Sequence, residues 1–158
     1  MQQVAGVEPA PAARVSDGRS VATIADVEFP IRLQPALGPI LLLFGVRPGY
    51  ATVELDGGRL AARFGFFAAE AALANIARWD ITGPYRWWRA VGVRRTRGTQ
   101  DLSFGGSTHG GLCLHFRAPI LVGRFRVTDL YLTVDDPVGL GAALTARGVP
   151  GQDLRTRR

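Results

Sequence analysis

The single cysteine and the two histidines are the side chains of this sequence best suited to chemistry, and they lie close together in the chain. One residue separates Cys113 from His115, so a β-strand would place both on one face, and His109 precedes them. A thiolate and an imidazole are zinc ligands and partners in nucleophilic catalysis. No third ordered ligand can be named from the sequence, and a cysteine beside core leucines is usually a packed side chain. We therefore predict no catalytic residue, no metal and no cofactor, and an enzyme that uses Cys113 is the less favoured alternative.

Two other motifs resemble catalytic ones but differ from them in detail. Residues 105–111 combine glycines with a serine, as nucleophile elbows and phosphate-binding loops do. His109 stands where an elbow needs its second glycine, and no Lys-Ser or Lys-Thr pair follows. Asp135 and Asp136 resemble a carboxylate pair, but Pro137 follows them, and capping of a helix accounts for both. We predict a turn at 105–111 and a helix that begins after Asp136.

The Arg/Trp segment, residues 85–97, concentrates arginine and aromatic side chains. No acidic residue occurs between Ile81 and Gln100. Tryptophan, tyrosine and arginine favour the boundary of an anionic membrane, and they also dominate the binding energy of protein interfaces. Burial of the tryptophans at a barrel mouth is an alternative, and nucleic acid is disfavoured because no known binding motif is present. The predicted residues for contact with a ligand, membrane or partner are Tyr85, Arg86, Trp87, Trp88, Arg89, Arg94, Arg95 and Arg97.

Composition and charge limit the class of protein. All 19 basic side chains are arginine and the net charge is +6, a pattern that codon bias in a GC-rich genome explains. The lone cysteine indicates a reducing compartment. The first twenty residues lack the apolar core of a signal peptide, and the longest apolar run is too short to span a membrane. These features predict a cytoplasmic protein, with peripheral contact at the inner membrane face as a further option.

The alternation of apolar and polar residues predicts many short strands. Val27–Leu33 alternates, and Pro30 places it at a sheet edge, while the continuous apolar run Ile40–Val46 has the length of a buried strand. Val53–Phe64 is predicted as a hairpin around Asp56-Gly57. Further strands are predicted at 75–81, 91–94, 101–104, 112–117, 120–127 and 129–134, and a helical turn at 67–74 is left open. Gly148 and Pro150 predict the end of the terminal helix.

Three segments resemble a bacterial pleckstrin-homology-like domain. They are the hairpin that ends in Phe64-Gly65, the stretch Ala74–Ile76, and the ending Leu132–Leu144, so the resemblance covers about residues 50–148. It implies a mainly β fold, an antiparallel barrel or bent sheet capped by a C-terminal α-helix. The predicted organisation is a flexible tail at 1–20, a single domain at 21–148, and a basic tail at 149–158.

The resemblance says less about function than about fold. The chain is also similar to uncharacterised bacterial proteins with Phe-Pro-Ile-Arg, Phe-Gly-Val and Thr-Gly-Pro-Tyr-x-Trp-Trp segments, here at Phe29–Arg32, Phe44–Val46 and Thr82–Trp88. Eukaryotic relatives of the domain often bind phosphoinositides, but no basic motif here matches theirs. We predict a non-catalytic binding module that contacts an anionic membrane or an acidic partner protein through the Arg/Trp segment. A protein-interaction or self-association module that uses a sheet edge or groove is the alternative.

Overall fold

The computed structural model describes residues 26–83, 91–95, 100–107 and 109–155, with 91–95 described as backbone only. The described chain is mainly β with a C-terminal helix, which confirms the predicted class. The strands are β1 Val27–Pro30, β2 Ala51–Leu55, β3 Arg59–Phe64, β4 Phe67–Ala72, β5 Ile76–Thr82, β6 Val91–Arg95, β7 Asp101–Gly106, β8 Gly111–Val122, β9 Phe125–Leu132 and β10 Gly151–Asp153. The α-helices are α1 Gly38–Leu43 and α2 Pro137–Ala146, and short 3-10 turns span Pro35–Leu37 and Leu73–Asn75.

The described strands form two sheets that do not close into a barrel. A four-stranded sheet has the order β1-β2-β3-β4, and a six-stranded sheet has the order β10-β5-β8-β9-β7-β6. The pairs β7–β9 and β10–β5 are parallel and the other pairs are antiparallel, so the larger sheet is mixed rather than antiparallel as predicted. A bridge between Ile31 and Val134 joins the end of β1 to the chain after β9.

The core lies between the inner faces of the two sheets. Alternate residues of β3, such as Leu60 and Phe64, are fully buried, as are Leu112 and Leu114 of β8. The ring of Phe64 stacks on Phe104 of the larger sheet, with centroids 5.6 Å apart. Because the inner face of β8 is apolar, its alternate residues form the outer face of the six-stranded sheet.

The terminal helix α2 begins and ends as its sequence predicts. The Asp136 carboxylate accepts a hydrogen bond of 2.8 Å from the Gly139 amide, so it caps the helix, and Pro137 occupies the first turn. After the helix, Gly148 adopts a φ of 85°. Helix α2 contacts β5 and β10 through its buried Leu140 and Leu144, so it covers one side of the core rather than a barrel mouth.

Trp79 of β5 connects the helix to the last strand. Its indole N–H donates to the Val149 carbonyl at 3.2 Å. A Cβ at Gly141 would lie 2.8 Å from the indole ring, so this glycine permits close contact between α2 and the sheet. A Cβ at Gly139 would instead lie 2.1 Å from the capping carboxylate of Asp136.

Three sequence predictions about local structure are wrong. The apolar run Ile40–Val46 is not a buried strand, because its first part forms α1, with Pro39 in the first turn. The stretch 120–127 is a hairpin, since β8 ends at Val122 and Gly123 turns with a φ of 59°. Residues 149–155 are not a tail throughout, because Gly151–Asp153 forms β10 beside β5.

Other predictions about local structure are confirmed. The Asp56 side chain accepts hydrogen bonds from the Gly58 and Arg59 amides and so shapes the turn between β2 and β3. β1 lies at a sheet edge, as Pro30 requires. Residues 67–74, where a helical turn was left open, form β4 and then the first part of a 3-10 turn. Among the described residues, neither α1 nor α2 approaches the apolar length of a membrane-spanning helix.

Candidate functional site

The outer face of the six-stranded sheet carries a cluster of polar side chains on its central strands. On β8, Cys113 and His115 alternate with buried leucines, which confirms that they share one face. The register places Cys113 opposite Asp80 of β5 and His115 opposite Asp129 of β9. Three strands therefore bring a thiol, an imidazole and two carboxylates together.

His115 lies between the two carboxylates of this cluster. Its Nε2 lies 2.9 Å from Oδ2 of Asp80, and its Nδ1 forms a hydrogen bond with Oδ1 of Asp129. Both ring nitrogens can donate only in the imidazolium form, since neutral imidazole has one N–H. Oδ2 of Asp129 accepts a 2.7 Å hydrogen bond from the Thr128 hydroxyl, which fixes the orientation of that carboxylate.

Asp80 is the most buried charged group of the cluster. Its side chain is 8% exposed, and Arg78 approaches the same Oδ2 atom at 3.4 Å from its Nε. The other oxygen, Oδ1, is buried and has no hydrogen-bond partner among the described residues. A buried carboxylate oxygen without a donor is unfavourable, because the desolvation of the charge is uncompensated.

The Cys113 thiol lies in surroundings that disfavour its ionised form. Burial raises its pKa to about 12, and the nearby carboxylates of Asp129, Asp80 and Asp101 add to that increase. Reactive cysteines have the opposite environment, in which positive charge stabilises the thiolate. The free thiol is therefore protonated at neutral pH and is a poor nucleophile.

We expect Cys113 to react slowly with iodoacetamide in the native protein. Against an ordinary thiol pKa of about 8.5, the thiolate fraction at pH 8.5 falls by about a hundredfold or more. The measurement is mass-spectrometric labelling with a chelator present, with the urea-unfolded chain as the control. Equal labelling of native and unfolded protein at pH 8.5 would contradict the raised pKa of the thiol.

The sequence identified half of this cluster. His109 is not part of it, because its Nδ1 lies 3.0 Å from the Ser107 hydroxyl and 3.2 Å from the Gln34 amide. Asp80 and Asp129 were missed, since they are 35 and 14 residues away from His115 in the chain. Only the sheet register could have paired them with Cys113 and His115.

A second candidate is the α1 surface, an exposed apolar patch on α1 and the loops beside it. Its members are Ile40, Leu42, Leu43, Tyr50 and Phe66. Leu43 is 79% exposed and Phe66 is 81% exposed, which is unusual for large apolar side chains. Exposed apolar residues that cluster rather than scatter mark contact sites for proteins or membranes.

Two glycines hold the α1 surface together. Gly65, with a φ of 60°, lies so close to the Phe44 carbonyl that a Cβ there would be 2.1 Å from its oxygen. Gly45, with a φ of 69°, leaves room for the ring of Phe66. The Phe66 amide also donates to the Phe44 carbonyl at 3.2 Å. The β3–β4 turn is thus fixed against the loop after α1.

The predicted Arg/Trp contact residues lie largely outside the described residues. Tyr85, Arg86, Trp87, Trp88, Arg89 and Arg97 are not described. The backbone of Arg94 and Arg95 belongs to β6, in register with Ser103 and Leu102. The role of all eight residues stays a prediction.

The described residues on either side of positions 84–90 lie near the chain that leads to α1. Val91, the first residue of β6, pairs with Gly106. The Gly106 carbonyl accepts a 2.9 Å hydrogen bond from the amide of Gln34, which precedes the 3-10 turn leading to α1. On the other side of the segment, Gly83 lies against Gly110. Gly83 and Val91, which flank residues 84–90, and Gln34 before α1 therefore lie at one end of the six-stranded sheet.

The fold and its two candidate sites define a mainly β protein with a mixed sheet, a polar outer cluster and an exposed apolar surface. Comparisons with protein families, curated proteins and solved structures find no match for this chain.

Proposed function

We propose that this protein is a non-catalytic binding module that attaches peripherally to an anionic membrane surface. The observation that carries the proposal is the α1 surface, where Leu43 and Phe66 are about four-fifths exposed. The resemblance of the sequence to pleckstrin-homology-like domains is compatible with such a role. A protein-interaction or self-association module is the alternative, and the experiments below include a result that would favour it.

The chemistry of the α1 surface suits the interface of a bilayer. Leucine, isoleucine and phenylalanine gain about 1.5–3 kcal/mol each when they leave water, and tyrosine favours the headgroup boundary. Helix α1 is short, so insertion would be shallow and attachment reversible.

The charge around this surface favours anionic lipid. No acidic residue occurs between Glu28 and Glu54, a stretch that contains the whole of α1, while Arg47 beside it is exposed. The arginines of the Arg/Trp segment, which the sequence predicts to contact a ligand, would add to the attraction. Each arginine near an anionic surface contributes about 1 kcal/mol, and salt weakens this contribution.

Vesicle co-sedimentation tests the proposal. We expect the protein to bind vesicles with a large fraction of phosphatidylserine, to bind phosphatidylcholine vesicles less, and to release with added salt. Leu43→Glu should weaken binding by about tenfold or more, because it removes an inserted apolar group and adds negative charge. Arg89→Ala should weaken binding by about fivefold.

Leu121→Glu is the matched control. Leu121 is 68% exposed, but it lies on the β8–β9 hairpin, away from α1. Equal loss of binding in both glutamate variants, or no binding to anionic vesicles at low salt, would overturn the proposal. A dimer in light scattering that Leu43→Glu converts to a monomer would instead favour self-association.

A further inference from the structure

The polar cluster on the outer face of the six-stranded sheet carries an inference independent of membrane attachment. The ligand atoms of Cys113, His115 and Asp129 all lie within 4.8 Å of one another. In a tetrahedral zinc site, with bonds of about 2.0–2.3 Å, neighbouring ligand atoms are about 3.3–3.7 Å apart. Nδ1 of His115 and Oδ1 of Asp129 lie at hydrogen-bond distance and would move apart to admit the ion, while the sulfur of Cys113 lies no more than 4.8 Å from its partners.

We propose that Cys113, His115 and Asp129 form a zinc-binding site, with Asp80 as the carboxylate that orients His115. The ion would bind Nδ1 of the imidazole and Oδ1 of Asp129, in place of the hydrogen bond between them. A sulfur, a nitrogen and an oxygen ligand suit zinc, a cation of intermediate softness. Three protein ligands leave one tetrahedral position for a further ligand.

The hydrogen bonds around the cluster already have the pattern that such a site needs. Metal-bound histidines usually donate their other N–H to a carboxylate, and Asp80 accepts from Nε2 of His115 at 2.9 Å. Thr128 occupies Oδ2 of Asp129, which leaves Oδ1 to face the imidazole. Asp80 therefore orients the imidazole of His115, and Thr128 orients the carboxylate of Asp129.

The charge and burial of the cluster point to a cation as well. Asp80 and Asp129 both lie against His115, and Arg78, with its Nε 3.4 Å from Oδ2 of Asp80, is the cation beside them. The 92% buried side chain of Asp80 keeps an oxygen with no hydrogen-bond partner in the described part of the chain. A divalent ion would compensate this negative charge, and coordination would release the thiol proton.

Cobalt titration of the chelator-stripped, full-length protein tests the inference. Cobalt is the probe because it replaces zinc and reports its ligands in the absorption spectrum. We expect one Co²⁺ per chain, a thiolate-to-cobalt charge-transfer band, and displacement of both by Zn²⁺. A spectrum without the thiolate band would overturn the site, and this result needs no variant.

Single substitutions distinguish the proposed zinc ligands from the side chains around them. Cys113→Ser should abolish the charge-transfer band, and Asp129→Asn and His115→Gln should weaken zinc binding by more than about a hundredfold. Asp80→Asn should weaken it by about 10–100-fold, as for other groups that orient a ligand. His109→Gln is the matched control, since the other histidine of the chain lies outside the cluster.

Thermal shift completes the test, with circular dichroism as the check that each variant is folded. Zinc should raise the melting temperature of the wild-type protein and of His109→Gln, and leave Cys113→Ser unchanged. An equal zinc effect in Cys113→Ser, or equal loss of affinity in His109→Gln and His115→Gln, would overturn the proposal. Because vesicle binding is measured without metal, failure here leaves membrane attachment unaffected.

Discussion

Replacing Trp79 with alanine is expected to lower the free energy of unfolding by about 3–5 kcal/mol. The indole ring fills the space between β5, α2 and β10, where Gly141 and Gly151 both lie against it. Its N–H also bonds to the Val149 carbonyl. Removal of the indole leaves the Val149 carbonyl without this hydrogen bond. It also leaves a cavity that both α2 and β10 border, so neither element can fill the cavity by moving alone. A domain with a total stability of about 5–15 kcal/mol would lose a large part of it.

Urea unfolding followed by far-UV circular dichroism measures this effect, since tryptophan fluorescence would change with the substitution itself. The melting temperature should fall by about 10 °C. Trp79→Phe is the matched control, because it keeps most of the ring and loses the hydrogen bond to Val149, at about 1 kcal/mol. A loss below 1 kcal/mol for the alanine variant would contradict a central role for the indole.

Gly65→Ala is expected to lower the stability by about 2–5 kcal/mol, the second largest effect. A left-handed conformation costs an ordinary residue about 1–2 kcal/mol, and Gly65 has a φ of 60°. The added Cβ would also lie 2.1 Å from the Phe44 carbonyl oxygen, and relief of such overpacking costs about 1–3 kcal/mol. Because the backbone must shift, Phe66 would leave its place on the α1 surface, and vesicle binding should weaken too.

Gly49→Ala distinguishes the two causes. Gly49 has a φ of 86° in the neighbouring loop, but a Cβ there would meet no atom within 4 Å. This variant should lose only the conformational part, about 1–2 kcal/mol, in the same urea experiment. Equal losses at both glycines would show that contact with Phe44 is unimportant.

The sequence predicted the elements that local chemistry determines. The Asp56 turn and the helix from Pro137 both depend on side chains that bond to amides two or three residues away. The α1 helix was missed because a short apolar run fits a buried strand as well as a helix. Because the exposed residues of α1 are apolar too, the sequence shows no alternation that would distinguish a surface helix from a buried strand. Exposed apolar residues were therefore predicted to be core.

The candidate zinc site could be predicted only in part, because the sequence pattern does not show which strands become neighbours. That Cys113 and His115 share a face follows from the two-residue period of a strand. That Asp80 and Asp129 join them depends on which strands pair and in which register: β9 follows β8 as a hairpin, whereas β5 lies beside β8 although β6 and β7 separate the two in the chain. The parallel pairs β7–β9 and β10–β5 were unpredictable for the same reason.

The unequal topology of the two sheets has a consequence for the order in which the chain folds. Strands β2, β3 and β4 follow one another through short turns, so their pairing closes small loops and is fast. The six-stranded sheet joins strands from distant parts of the sequence, which is slow because large loops must close first. Its edge strand β10 pairs in parallel with β5, although strands β6 to β9 and helix α2 lie between them in the chain. The outer polar cluster needs β5 beside β8, and we expect it to be completed late. The β3–β4 turn, against which the loop after α1 packs, is expected to form earlier.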